Sequence, residues 1–150
     1  MTVTTDSDAA TRALGRRLAA FLRPGDVVVL EGPMGSGKTV FAAGVAEGLG
    51  VDERVTSPTF LLMRSYRSGF LPFVHVDAYR LGSLGEFDDL AALDEATGGV
   101  LLVEWGDIVA AGLPGDRLTV TFYRVDETTR SITLEGAGSW SGRAIRELVG

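Results

Sequence analysis

A short apolar run rich in β-branched residues, Asp26-Val27-Val28-Val29-Leu30, leads into Gly32-Pro33-Met34-Gly35-Ser36-Gly37-Lys38-Thr39, and an alanine-rich stretch follows to about Leu49. The middle segment fits G-x-x-x-x-G-K-[ST], the Walker A pattern, and the chemistry explains its residue types. A polyphosphate needs a concave set of backbone N–H donors, and glycines let the chain curl around it without Cβ clashes. The helix that begins at Lys38 aims its positive end at the same anion. Lys38 is then placed to reach the β- and γ-phosphates and the Thr39 hydroxyl to hold Mg²⁺, while Gly35, Ser36, Gly37 and Val40 complete the cradle. A strand before and a helix after separate such a site from a mere glycine-rich turn.

Two acids end apolar runs further along. Asp77 closes Phe73-Val74-His75-Val76, and Glu104 closes Val100-Leu101-Leu102-Val103. Ligands in open α/β sheets bind beyond the carboxyl ends of the strands. If these runs lie parallel to Val27–Leu30, both acids arrive at the edge that holds the phosphate loop. One would hold the Mg²⁺ shell and the other would orient or deprotonate an attacking water, an assignment the residues alone leave open. An acid after a strand is otherwise a turn or helix cap. Lys38, Asp77 and Glu104 are thus the expected catalytic residues, with Thr39 and one of the two acids at the metal.

The rest of the chain supports a sheet with helices on it. Ala10, Leu14, Leu18 and Leu22 recur every four residues, which predicts an amphipathic helix from about Asp8 to Leu22, ended by Pro24-Gly25. Leu61–Tyr66 reads as a strand, Ser83–Ala96 as a helical region with an acidic face, and Gly142–Val149 as a closing helix. Leu118–Val125 and Ser131–Glu135 alternate in polarity and predict an antiparallel hairpin. The expected class is three-layer α/β, a P-loop NTPase fold with a mostly parallel central sheet and a C-terminal antiparallel hairpin. At 150 residues the chain fits one domain, able to bury roughly 70% of its unfolded surface.

Composition narrows the partners. Cysteine is absent, which excludes a disulfide framework and thiolate metal sites. No apolar run approaches the roughly 20 residues that span a bilayer. The polar, acidic first fifteen residues lack the pattern of a secretory signal, so a cytoplasmic location and no membrane partner are expected. The net charge is −6, and the basic residues are scattered along the sequence. A domain that grips nucleic acid unaided carries a basic patch, so any link to RNA is expected to run through a partner. Every basic residue but one is Arg, and the exception is Lys38. A compact ammonium on a flexible stem suits a phosphate cradle better than a planar guanidinium.

Guanine-specific relatives of this motif read the base with N-K-x-D, which a chain lacking Asn and any second Lys cannot contain. ATP is therefore favoured. Taken in order, GPMGSGKT, Ser57-Pro58-Thr59-Phe60, His75-Val76-Asp77-Ala78-Tyr79-Arg80 and Glu104-Trp105 resemble the TsaE (YjeE) ATPases of bacterial tRNA threonylcarbamoyladenosine synthesis, from about Ala10 to Arg130. Pro33-Met34, Ala78 and Gly106 depart from the usual Asp-Leu, Leu and Pro. None of the three replaces a side chain that the chemistry requires.

The resemblance implies several roles. Thr59 falls in a switch-like loop where a hydroxyl senses the γ-phosphate or metal; the plainer reading is that Pro58 forces Ser57 extended and starts a strand. Asp77 takes the acidic position near the phosphates, Glu104 the magnesium position, and Trp105 the aromatic place against bound nucleotide, although a core Trp is the commoner fate. Thr11 and Arg130 fall where the family contacts nucleotide. His75 is read as a hydrogen-bonded structural histidine, Arg80 as a local ion-pair or partner contact. Glu86, Asp88, Asp89, Asp94 and Glu95 read as a solvated helix face or a dock for a basic surface. The implied cofactors are ATP and Mg²⁺. The implied activity is ATP hydrolysis acting on a separate TsaD–TsaB transferase complex, with tRNA engaged through those partners. Two other classes fit the motif: a small-molecule kinase, which would phosphorylate an acceptor, and a nucleotide-dependent binding module without appreciable turnover.

Overall fold

Strands buried on both faces read as near-continuous apolar runs, and the chain supplies three, each closed by an acid. Val27–Glu31 (β2), Phe73–Asp77 (β4) and Val100–Glu104 (β5) are such strands. The computed structural model describes residues 1–55, 62–81 and 83–149. Among these, seven strands form one sheet, which also contains Thr2–Thr5 (β1), Met63–Tyr66 (β3), Leu118–Arg124 (β6) and Arg130–Gly136 (β7), in the order β1-β7-β6-β2-β5-β4-β3. The four central strands, β6, β2, β5 and β4, run parallel, while β1, β7 and β3 pair antiparallel at the flanks. The expected parallel centre and hairpin are both present.

Alternation along each central strand divides the core in two. Val28, Leu30, Phe73 and Leu102 pack with Leu14, Leu18, Phe41 and Val45 on one face. These last four come from Asp8–Ala19 (α1) and Lys38–Gly48 (α2). Val27, Val29, Val74, Val76, Leu101 and Val103 face Phe87 and Ala92 on the other, carried by Leu84–Asp89 (α3) and Ala92–Glu95 (α4). The result is three layers. The α1–α2 contact is close enough to exclude side chains: a Cβ on Gly15 would fall 2.4 Å from the Phe41 carbonyl oxygen, and one on Gly44 2.1 Å from that of Arg12.

Three segments differ from expectation. β1 lies in a stretch whose Thr-Val-Thr-Thr reads as a polar terminus; it forms because β7 offers an edge, with Val3 opposite Ile132 and inside the core. The acidic helical region is broken at Ala91, which adopts a left-handed φ of 51° between α3 and α4. No glycine or proline marks that break. The closing helix is replaced by 3₁₀ turns at Gly138–Gly142 and Ile145–Val149. Between them Arg143 is extended, and its guanidinium turns inward to hold both Asp26 carboxylate oxygens at 2.6 and 2.8 Å. No helix among the described residues is long and apolar enough to cross a membrane.

Because β2, β4 and β5 are parallel and in register, Leu30 and Asp77 both lie opposite Glu104. The ends of three strands and the start of α2 therefore meet at one edge.

Candidate active site

Three glycines shape the loop after β2. Gly32, Gly35 and Gly37 have φ of 142°, 76° and 101°, in the region that L side chains avoid. Gly37 caps α2 with no side-chain acceptor for the first helical N–H groups. Those donors and the helix dipole are left for an anion. Lys38, 5% exposed, folds back over this loop. Its Nζ donates to the carbonyl oxygens of Gly32 and Pro33 and sits 3.8 Å from the centre of the Trp105 ring. Burial pushes the ammonium below its ordinary range, with the carboxylates of Glu104, Asp77 and Asp107 pulling the other way.

Glu104 ends β5 on the floor of the cleft. Its Oε1 accepts from the Thr39 hydroxyl at 3.0 Å, and its Oε2 lies 2.5 Å from His75 Nε2. Asp77 ends the neighbouring strand, where its carboxylate accepts from the Tyr79 N–H at 3.0 Å. Trp105 follows Glu104 in a left-handed conformation, φ 59°. That turn brings its ring over Lys38, with the Tyr79 ring 4.8 Å away. Gly106 comes next because the sheet leaves it no room: a Cβ there would fall 2.2 Å from Val29 Cγ1.

A cleft of about 420 Å³ opens here, lined by Gly35, Ser36, Gly37, Lys38, Thr39, Val40, Asp77, Glu104, Trp105 and Arg130. Two expected residues stand apart. Thr59, with the whole Ser57–Phe60 motif, lies outside the described residues. Thr11 is buried and does not line the cleft; its hydroxyl bonds that of Thr5 at 2.7 Å, and its methyl backs Gly37 from below. Asp8, one turn earlier, lines the cleft instead, as do Tyr79 and Met34. Tyr79 lies in the His75–Arg80 motif, where its residue type alone assigns no role, and Asp8 is legible only as the first turn of a helix.

Arg130 is nearly all internal. Its guanidinium donates to the carbonyl oxygens of Asp126, Thr129 and Glu127 in the β6–β7 turn and to that of Gly35 in the phosphate loop, at 2.7–3.3 Å. It ties the hairpin turn to the loop. An adjoining cleft gathers Arg12 and Arg16, one turn apart on α1, with Arg54 from a later part of the chain. The guanidinium groups of Arg12 and Arg16 pair with Glu47 at 2.9 and 3.1 Å.

Hard oxygen donors with phosphate and water completing the shell are what Mg²⁺ takes. The Thr39 hydroxyl and Glu104 carboxylate, in contact at the foot of α2, fit that chemistry. No group of three or more His, Asp or Glu among the described residues offers an all-protein cage.

Residues 5–132 match the family model for the threonylcarbamoyl adenosine biosynthesis protein TsaE. The chain belongs to the TsaE family. A tRNA threonylcarbamoyladenosine biosynthesis protein TsaE from Streptomyces coelicolor is 44% identical over 147 residues, covering 93% of this chain and 99% of that protein. The Bacillus subtilis protein of the same name is 42% identical over 130 residues, 86% of this chain and 81% of its own length. A crystal structure of Bacillus subtilis YdiB superposes with a TM-score of 0.79 at 36% identity, over 99% of this chain and 93% of that one. The fold is that of the P-loop NTPases. In this TsaE family member the branched Val29 side chain fills the space beside Gly106.

Proposed function

We propose that this TsaE family member is a Mg²⁺-dependent ATP hydrolase that supports threonylcarbamoyl modification of the tRNA adenosine next to the anticodon. It does so by acting on a TsaD–TsaB transferase complex in the cytoplasm. The observation that carries the reading is the contact between Thr39 and Glu104 beneath the glycine loop, beside a buried Lys38. An apolar or merely structural loop has no use for that set.

The residues divide the work. Backbone N–H groups of Gly35 to Val40 cradle the phosphates, as do the first donors of α2. Lys38 exchanges the Gly32 and Pro33 carbonyls for phosphate oxygens. Thr39 and Glu104 would hold Mg²⁺, whose charge offsets that of the phosphates. Asp77, beside Glu104 in the register, orients the attacking water. Trp105, whose ring lies over Lys38 with Tyr79 beside it, would lie against bound nucleotide. Free phosphate is the product, and the energy of binding and release resets the partner rather than transferring a group to tRNA. A net charge of −6 agrees with tRNA held by the partners.

The test is tRNA modification by the purified cognate transferase, supplied with preformed threonylcarbamoyl-adenylate and ATP·Mg²⁺, over many turnovers. Addition of this protein is expected to sustain turnover and release free phosphate, and Lys38→Ala to abolish both effects. Unchanged modification in its absence would remove the tRNA role, and phosphate appearing on an acceptor would make the protein a kinase.

A further inference from the structure

His75 is the chain's only histidine and is fully buried in β4. Strand alternation turns it, with Phe73 and Asp77, toward the α2 side of the sheet, while Val74 and Val76 enter the opposite core. There its Nε2 meets Glu104 Oε2 at 2.5 Å, and the other carboxylate oxygen accepts from Thr39 at 3.0 Å. Opposite an ionised Glu104, which only accepts, the ring is the donor and Nε2 carries the proton. Nδ1 is buried and has no partner among the described residues. The ring's one hydrogen bond in this setting goes to Glu104.

We propose that His75 is a positioning residue that holds Glu104 by Oε2 so that Oε1 is presented at Thr39. The inference rests on reading Thr39 and Glu104 as the metal-holding pair. A single donor from Thr39 pins one oxygen and leaves the carboxylate plane free to turn. A second donor on the other oxygen fixes that plane before any cation arrives, and partners of this kind around a ligand set its affinity. An apolar residue of similar size would suit Phe73, whose ring centre is 6.2 Å away, and would avoid an unpartnered Nδ1. The imidazole stands there at that disadvantage, and the fixed carboxylate is what it provides.

Two measurements test this. With one histidine in the chain, ¹⁵N NMR of the imidazole is unambiguous: the Nε2–H tautomer is expected, with its Nε2 signal shifting when Mg²⁺ is added to the ADP complex. By calorimetry, His75→Leu is expected to weaken Mg²⁺ binding to the ADP complex about tenfold or more, in line with the loss of a ligand's partner. His75→Gln, whose Nε2 takes the place of the imidazole nitrogen, should recover most of it. ADP affinity in EDTA should be unchanged in both. An Nδ1–H tautomer, an Nε2 signal blind to Mg²⁺, or wild-type Mg²⁺ affinity in His75→Leu overturns the proposal. The NMR experiment uses the unaltered chain and decides the matter even if His75→Leu does not fold. Failure of the wild-type protein to bind ADP would overturn the nucleotide reading and this inference with it, whereas ADP binding with a His75-independent Mg²⁺ response overturns this inference alone.

Discussion

Lys38 carries two demands that oppose each other. It must stay charged to hold phosphate, yet burial favours its neutral form and lowers its pKa from the ordinary 10.5. ADP affinity is therefore expected to fall as pH rises through the lowered value, sooner than a free lysine would deprotonate. Lys38→Ala should bind weakly and without that alkaline decline, which a fluorescence titration across pH would show. Stability moves the opposite way. Between the lowered and ordinary values the unfolded chain binds more protons, so the empty protein gains stability with rising pH there. The shared placement of Lys38, Thr39, Asp77 and Glu104 in one cleft was legible in the sequence because each ends a strand or opens a helix in a spaced pattern. Asp8 was not, because its place in the cleft depends on how α1 packs against α2. Gly106 is a residue whose reason only the packing shows. Gly106→Ala is expected to cost about 1–3 kcal/mol of stability, as overpacking does, with much of it recovered in a double variant with Val29→Ala. Additive losses in denaturant melts of the two single variants and the double variant would count against that contact.

Elements were readable where one periodicity ruled and unreadable where a partner decided. The α1 pattern of every fourth residue and the solid apolar runs of β2 and β5 could hardly be taken otherwise. β1 exists only through pairing with β7, and nothing local in Thr2–Thr5 forecasts an edge. The closing segment gave way to 3₁₀ turns because the Asp26 carboxylate recruits Arg143, whose guanidinium also lies 4.0 Å from the Trp140 ring centre. Helix pairing follows from small residues. A Cβ at Gly44 would press on the Arg12 carbonyl, which is backbone and cannot swing aside. Gly44→Ala is therefore expected to lose at least about 1–3 kcal/mol despite the better helix propensity of alanine. Chemical denaturation read by far-UV circular dichroism checks the sign, and a gain in stability would show that α1 and α2 separate freely.

Across the whole molecule, the sheet order puts the phosphate strand at the centre, flanked by β6 and β5. Strand–loop–helix followed by two acid-ended runs announced this arrangement, since parallel strands carry their ends to one edge. The sequence did not show how negative charge would collect beside that edge. Glu31, the last residue of β2, has its carboxyl raised above the ordinary range, first by burial, then by Asp107 and Glu135, against the pull of Arg117. In a chain of net charge −6 this is an energetic weakness. The folded form binds the proton more tightly than the unfolded one, so stability falls as pH climbs from the ordinary carboxyl value through the raised one. Above the raised value the whole penalty is present. Glu31→Gln removes the charge and keeps the shape, so its Tm at pH 7 should exceed that of the parent by a small margin. In acid below both values the parent's Glu31 is protonated too, and the two melting curves should coincide. An equal gain at both pH values would mean that the benefit comes from packing and that the charge beside the phosphate loop is neutralised by solvent.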